Sequence, residues 1–232
     1  MSYVPTPIVS ADAQLRQSSI INQVYAWMTA GLLVTGAVAA YTANSAVLLN
    51  LIFGNPFGIW VLFIAQIAMV IGLSAGIGRL APGTATALFV GYAALNGLTM
   101  ASIFLVYTRA SIASTFFITA ATFALMSFYG YVTKRDLTRM GSLLFMALIG
   151  LILASLVNFF LRSAALYWII TYAGVLIFIG LIAWDTQKIK HLSRQATDDT
   201  SARRIAILGS LMLYLDFINL FLFLLRIFGR RD

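Results

Sequence analysis

The sequence contains no cysteine and no glutamate, and it has one histidine, His191, among its 232 residues. Without cysteine, disulfides, thiolate metal sites and cysteine nucleophiles are excluded. A lone histidine has no partner with which to build an imidazole metal site. Acid–base or cation chemistry must therefore use the aspartates, which are Asp12, Asp136, Asp185, Asp198, Asp199, Asp216 and Asp232.

Charge of either sign is also scarce. Only 9% of the residues are charged, whereas soluble domains have about 25%; 61% are hydrophobic, and the mean hydropathy is +0.94. A soluble protein this apolar could not cover its surface, so the solvent must be a bilayer. The net charge of +8 does not indicate nucleic-acid binding, because the basic residues flank apolar runs and form no stripe.

Seven apolar runs are long enough to cross a membrane, since a span needs about 20 residues. They predict an all-α polytopic membrane protein with seven transmembrane helices. Asn55 and Ser163 are predicted to cap the second and sixth spans, with Pro56 opening the second. The runs are 22–43, 57–78, 85–107, 111–132, 141–161, 165–187 and 205–227.

These runs predict one transmembrane domain over residues 21–228, between an N-terminal cytoplasmic tail (1–20) and a short basic C-terminal tail (229–232). A polar linker, 188–204, is expected between spans six and seven. Ten of the fifteen basic residues fall on the side of the N-terminus, which predicts a cytoplasmic N-terminus and an external C-terminus. A re-entrant last segment would return the C-terminus to the inside.

Two aspartates lie within or beside apolar runs. Asp216 is central in span seven, where a charge costs at least ~2.5–3.5 kcal/mol and usually faces a bundle interior or a water cavity. Asn219, three residues on, shares its helix face. Asp185 ends span six, where it also fits an ordinary polar helix end paired with Lys188. If the helices bring the two carboxyl groups together, both cannot ionise cheaply, and the pair would share a proton or offer oxygen ligands to Ca²⁺.

Other intramembrane polar residues have a simpler interpretation. Gln66, Asn96 and Asn158 are expected to make interhelical hydrogen bonds. Arg79, at the end of span two, fits an interfacial anchor. No catalytic or cofactor-binding residue is identified, and we expect no enzyme.

Several segments resemble the transmembrane Bax-inhibitor-motif family, and specifically its bacterial inner-membrane members. The resemblance covers nearly the whole chain after the N-terminal tail, and its most specific segments contain the two aspartates. The segments are 24–28 (VYAWM), 97–104 (GLTMASIF), 131–137 (YVTKRDL), 185–190 (DTQKIK) and 214–221 (YLDFINLF).

The resemblance implies a seven-helix bundle with the last helix central, and a pH-sensitive Ca²⁺ leak in the bacterial inner membrane governed by Asp185 and Asp216. The same two residues would contact Ca²⁺ transiently. In relatives a glutamate and an arginine on span two take part. This sequence departs there, because Gln66 stands near the place of the glutamate and Arg79 is displaced by about two residues from the arginine.

Other functions remain open. A regulatory protein that binds another membrane complex, such as a membrane-bound protease, is the main alternative, and proton-coupled solute transport is another. Intramembrane aspartyl proteolysis is disfavoured because no Gly-x-Gly precedes Asp216. A retinal receptor is excluded, because no lysine lies inside a span.

Overall fold

The computed structural model describes residues 11–231, and within that range the chain is helical with no named strand. Seven helices are long and apolar enough to cross a membrane, which confirms the predicted fold class. Two further short helices, α2 and α5, were not predicted. The helices are α1 (Ala11–Ala43), α2 (Ala46–Phe53), α3 (Pro56–Gly76), α4 (Pro82–Met100), α5 (Ile103–Val106), α6 (Arg109–Val132), α7 (Thr138–Leu161), α8 (Ala164–Arg194) and α9 (Asp199–Phe228).

Both predicted helix caps are confirmed. The side chain of Asn55 accepts a hydrogen bond from the backbone N–H of Phe57, and Pro56 is the first residue of α3. Ser163 accepts from the backbone N–H of Leu166 at the start of α8. These bonds satisfy amide groups that a helix start otherwise leaves free.

The predicted polar linker 188–204 is mostly helical in the structure. Helix α8 continues to Arg194, and α9 begins at Asp199, so only residues 195–198 connect them. Asp198 caps α9 by accepting from the backbone N–H of Ser201 at 2.6 Å. The charged residues lie on helical extensions of spans six and seven, because a helix need not end where the hydrocarbon ends.

Helix α9 is at the centre of the bundle, as the resemblance implied. It packs against α1, α4, α6 and α8, and 72% of the residues in its apolar stretch are buried, the highest share among the seven spans of the described chain. Helices α3 and α7 are peripheral, and each exposes a largely apolar surface over most of its length. Because lipid tails are as apolar as these side chains, the exposed faces suit the bilayer interior.

The ends of the helices show which connections share a side. Arg16 Nη1 donates to the carbonyl of Thr197, and Arg204 Nε donates to the carbonyl of Leu80. The start of α1, the α3–α4 turn and the α8–α9 connection therefore lie together. At the opposite end, the backbone N–H of Thr108 donates to the carbonyl of Arg230.

By length and composition, each of the seven long helices can cross the membrane once. Helix α9 is continuous over 30 residues, so the re-entrant alternative is wrong. The C-terminal end lies on the side opposite the start of α1. Which of these sides faces the cytoplasm remains the prediction made from the basic residues.

The predicted tails are described only in part. Residues 1–10 and Asp232 lie outside the described residues. Helix α1 begins at Ala11, so helical structure starts within the segment 1–20 that was predicted as a tail.

Candidate functional site

The antiparallel register of α8 and α9 brings Asp185 and Asp216 to the same level. The rings of Phe178 on α8 and Phe223 on α9 stack with centroids 5.9 Å apart. Asp185 lies seven residues further along α8 from Phe178, and Asp216 lies seven residues back along α9 from Phe223. Since seven residues make about two helical turns, the two aspartates meet two turns above the stacked rings.

Both carboxyl groups are buried and lie within hydrogen-bonding reach of each other. Asp216 is 4% exposed and Asp185 is 8% exposed, and the side chains interact directly. The prediction left this proximity open.

One oxygen of each carboxyl group accepts no hydrogen bond from another residue in the described part of the chain. These atoms are Asp185 Oδ1 and Asp216 Oδ2. Leaving a buried acceptor without a donor is costly. A proton held by one carboxyl group could donate to the other and remove that cost, as could a cation or water between the groups.

The pair borders a cavity of about 490 Å³ between α7, α8 and α9. Its walls are mainly apolar, and its polar lining consists of the two aspartates, Ser155, Lys188 and Asn219. One face of helix α9 borders this cavity, and it includes the half-buried residues Leu215 and Asn219. The carboxyl groups are thus connected to a space large enough for several water molecules, for which about 30 Å³ each is the share in the liquid.

Lys188 is the basic residue that lines this cavity, one helical turn beyond Asp185. Its charge acts on both carboxyl groups. Its Nζ lies over the ring of Trp184 at 4.8 Å, and no ion pair with Asp185 forms within the described residues. The interpretation of Asp185 as an ordinary helix end paired with Lys188 is therefore wrong, because Asp185 is buried beside Asp216.

The predicted supporting residues separate into two groups. Asn219 lines the cavity, but its amide nitrogen donates to the carbonyl of Leu215, 2.8 Å away, and not to Asp216. Gln66 and Arg79 do not line the cavity. Gln66 donates from α3 to the carbonyl of Leu95 on α4 at 3.2 Å, and Arg79 is exposed in the turn after α3.

The interhelical interpretation is confirmed for Gln66 and Asn96 and wrong for Asn158. Asn96 donates from α4 to the hydroxyl of Tyr214 on α9 at 2.8 Å. Asn158 instead accepts from the backbone N–H of Ser163, in the turn between α7 and α8. A helix end leaves backbone groups without partners, and Asn158 satisfies one of them.

Sequence reasoning missed the hydrogen-bond network around Tyr214. Its hydroxyl is fully buried and meets Thr35 Oγ1 at 2.6 Å, in addition to Asn96. Thr35 also donates to the carbonyl of Ala93. The network joins α1, α4 and α9 and fixes the central helix. A tyrosine two residues before Asp216 was the available signal, since a buried hydroxyl needs a partner.

This arrangement defines a class of protein: a polytopic membrane protein whose central helix holds a buried aspartate against a second one on the neighbouring helix. The family described as "Inhibitor of apoptosis-promoting Bax1" has a model that matches residues 17–232. The chain belongs to this Bax inhibitor family, as the sequence resemblance predicted.

Similar proteins occur in distant bacteria. Inner membrane protein YbhL of Escherichia coli (strain K12) is 61% identical over 211 residues, which are 90% of each chain. A protein of Borreliella burgdorferi described as uncharacterized is 45% identical over 218 residues, 94% of each chain. Another from Deinococcus radiodurans is 44% identical over 214 residues, 92% of this chain and 91% of the relative.

Proposed function

We propose that this protein is a pH-sensitive cation leak of the bacterial inner membrane, with Ca²⁺ as the permeant ion, gated by the Asp185–Asp216 pair. The observation that carries the proposal is the meeting of two buried carboxyl groups, each with an oxygen that accepts no hydrogen bond from the described residues. The membrane location rests on the seven spans and on the similarity to an inner membrane protein of Escherichia coli.

The chemistry of the pair links protons to cations. Two adjacent carboxyl groups in a low-dielectric interior cannot both remain charged unless a proton or a cation compensates them. Ca²⁺ prefers carboxylate oxygen ligands but takes six to eight of them. Among the described residues no group of three or more metal-ligating side chains occurs. Two carboxylates and water therefore suit a brief contact during passage better than tight binding.

Proteolysis by the same two residues has less support. Asp216 lies within the continuous helix α9, so its surroundings offer no unwound backbone at which a peptide substrate would bind. The cavity beside the pair is lined by apolar side chains from three helices.

Calcium flux in proteoliposomes tests the proposal. Wild-type protein should release trapped Ca²⁺ at a rate that depends on pH. Asp216→Asn and Asp185→Asn should each change that dependence, because each replaces the coupled pair with a single ionisable carboxyl group. Asp199→Asn is the matched control, since Asp199 is an exposed acid at the start of α9, away from the pair. Its flux should follow the wild type.

An unchanged rate and pH profile in Asp216→Asn would overturn the proposal. A regulatory protein that binds another membrane complex predicts that tolerance, together with co-purification of a partner. A flux of another solute that depends on the proton gradient would instead support coupled transport.

A further inference from the structure

A second cavity, which we call the basic cleft, lies beyond the aspartate pair. It has a volume of about 940 Å³ and is enclosed by the end of α6, the turn 133–137 and the last part of α8. It includes a single carboxylate, Asp136. Its basic lining residues are Lys134, Arg135, Lys188, Lys190, His191 and Arg194.

The turn and α8 form a fixed wall of the cleft. Gln187 is buried; its side-chain carbonyl accepts from the backbone N–H of Leu137 at 2.9 Å, and its amide donates to the carbonyl of Arg135 at 2.8 Å. Lys190 lies over the ring of Tyr131, with its Nζ 4.8 Å from the ring centroid. The turn that carries Lys134 and Arg135 is therefore held against α8.

The positive charge of the cleft is largely uncompensated. Oδ1 of Asp136 accepts from the backbone N–H of Thr138 at 2.9 Å, so this carboxylate is already used at the start of α7. Within residues 11–231 the side chains of Lys134 and Arg135 make no hydrogen bond or ion pair. Clustered like charges that lack partners attract anions to the site.

The cleft lies at the level of lipid headgroups. Helix α8 has 31 residues and is about 46 Å long, whereas a hydrocarbon core is about 30 Å thick. The charged last two turns of α8, residues 188–194, therefore extend beyond the hydrocarbon. Trp184, which lines the cleft, and Tyr131, over which Lys190 lies, are residue types enriched at membrane interfaces.

We propose that the basic cleft binds the phosphate group of an anionic phospholipid from the adjacent leaflet. Arginine presents paired N–H donors to phosphate oxygens, and lysine adds a point charge. Basic pockets between transmembrane helices are suited to such headgroups. A lipid reaches the cleft by lateral diffusion, with its headgroup at the depth of Lys134 and Arg135. The site is independent of the cation leak, although Lys188 and Trp184 line both cavities.

The test measures lipid binding to the delipidated full-length protein by native mass spectrometry. Phosphatidylglycerol should bind wild-type protein, and Lys134→Gln/Arg135→Gln should weaken that binding at least tenfold. The control is Arg79→Gln/Arg203→Gln. It removes two exposed charges that lie outside the cleft but at the same end of the bundle. This variant should bind phosphatidylglycerol as the wild type does. The charge-preserving exchange Lys134→Arg/Arg135→Lys should restore binding.

Two further results bear on the source of the phosphate group. Phosphatidylcholine, which carries no net charge, should bind weakly, and inorganic phosphate should not displace phosphatidylglycerol. Equal affinity of the cleft and control variants, or displacement by inorganic phosphate, would overturn the proposal. If the double variant does not fold, Arg194→Gln alone should weaken binding, and unchanged binding there would also overturn it.

Discussion

Individual polar side chains of α9 serve two different purposes. Asp216 faces α8 and the cavity, where part of its carboxyl group has no donor among the described residues. Tyr214, two residues earlier, has its hydroxyl bonded to Thr35 and Asn96. The carboxyl group of Asp216 is therefore available to a proton or cation. The hydroxyl of Tyr214 already has its hydrogen-bond partners and holds helices together.

We expect Tyr214→Phe to destabilise the protein by about 1 kcal/mol, because interhelical hydrogen bonds in membranes contribute about that much or less and the ring contacts remain. The rings of Phe89 and Tyr92 pack against Tyr214 with centroids 5.8 Å away. Unfolding in mixed detergent micelles measures the change. Tyr172→Phe is the control, since Tyr172 is 54% exposed on α8. An equal effect of both substitutions would contradict the network's role.

Asp198 should make a pH-dependent contribution to stability. The hydrogen bonds from Ser201, with the charges of Arg204 and Arg16, hold the pKa of Asp198 below its usual value. Because the folded state favours the carboxylate, the contribution is present above the unfolded pKa of about 3.9 and is lost as the pH falls through the lower folded pKa.

The comparison is between wild type and Asp198→Asn, which keeps a capping side chain but cannot ionise. The difference in melting temperature in detergent should be present at neutral pH and shrink as the pH falls below about 4. A difference that stays constant over that range would mean that the carboxylate charge of Asp198 does not stabilise α9.

The residues of the candidate site could be found from the sequence, but their geometry could not. A charged residue inside an apolar run is informative by itself, so Asp216 was found. Asp185 was noted at the end of span six, and the family segment that contains it supported its role. Whether the two meet depends on the register between α8 and α9, which packing residues such as Phe178 and Phe223 set. Nothing local to either aspartate encodes that register.

At the scale of helices, the arrangement of the bundle is determined by helix lengths and by close contacts between helices. The apolar runs predicted the seven spans, because the hydrocarbon thickness sets their minimum length. Their helical extensions into water were missed, since hydropathy reports only the part inside the lipid. Most of the predicted linker 188–204 belongs to these extensions.

The contact between α6 and α8 depends on Gly130. A Cβ atom at this position would meet the backbone carbonyl of Ala183, which cannot move without shifting α8. We expect Gly130→Ala to destabilise the protein by about 1–3 kcal/mol, as overpacking typically does. On α7, Gly150→Ala adds the same methyl group where nothing lies within 4 Å, and it should be neutral or stabilising by up to about 1 kcal/mol.

Unfolding in mixed micelles measures both variants. Loss of stability in Gly130→Ala but not in Gly150→Ala would support close packing of α6 on α8. A Gly130→Ala protein as stable as the wild type would contradict it.

At the scale of the whole molecule, α9 is surrounded by α1, α4, α6 and α8, so its carboxyl group is shielded from lipid on most sides. The aspartate cavity and the basic cleft lie in sequence along α8, with Lys188 and Trp184 between them. The central position of α9 came from the family resemblance and not from hydropathy. Helix α9 is neither the most nor the least apolar of the seven spans, and packing alone distinguishes it as the central one.

The central claim is that the Asp185–Asp216 pair holds either a proton or a cation. Infrared difference spectroscopy tests it most directly, with the carboxyl absorption of the pair assigned by its absence in Asp185→Asn/Asp216→Asn. Addition of Ca²⁺ should reduce this protonated-carboxyl absorption in wild type and in Asp199→Asn and release protons to solution. An absorption that Ca²⁺ leaves unchanged, or no difference between wild type and the double variant, would contradict the claim.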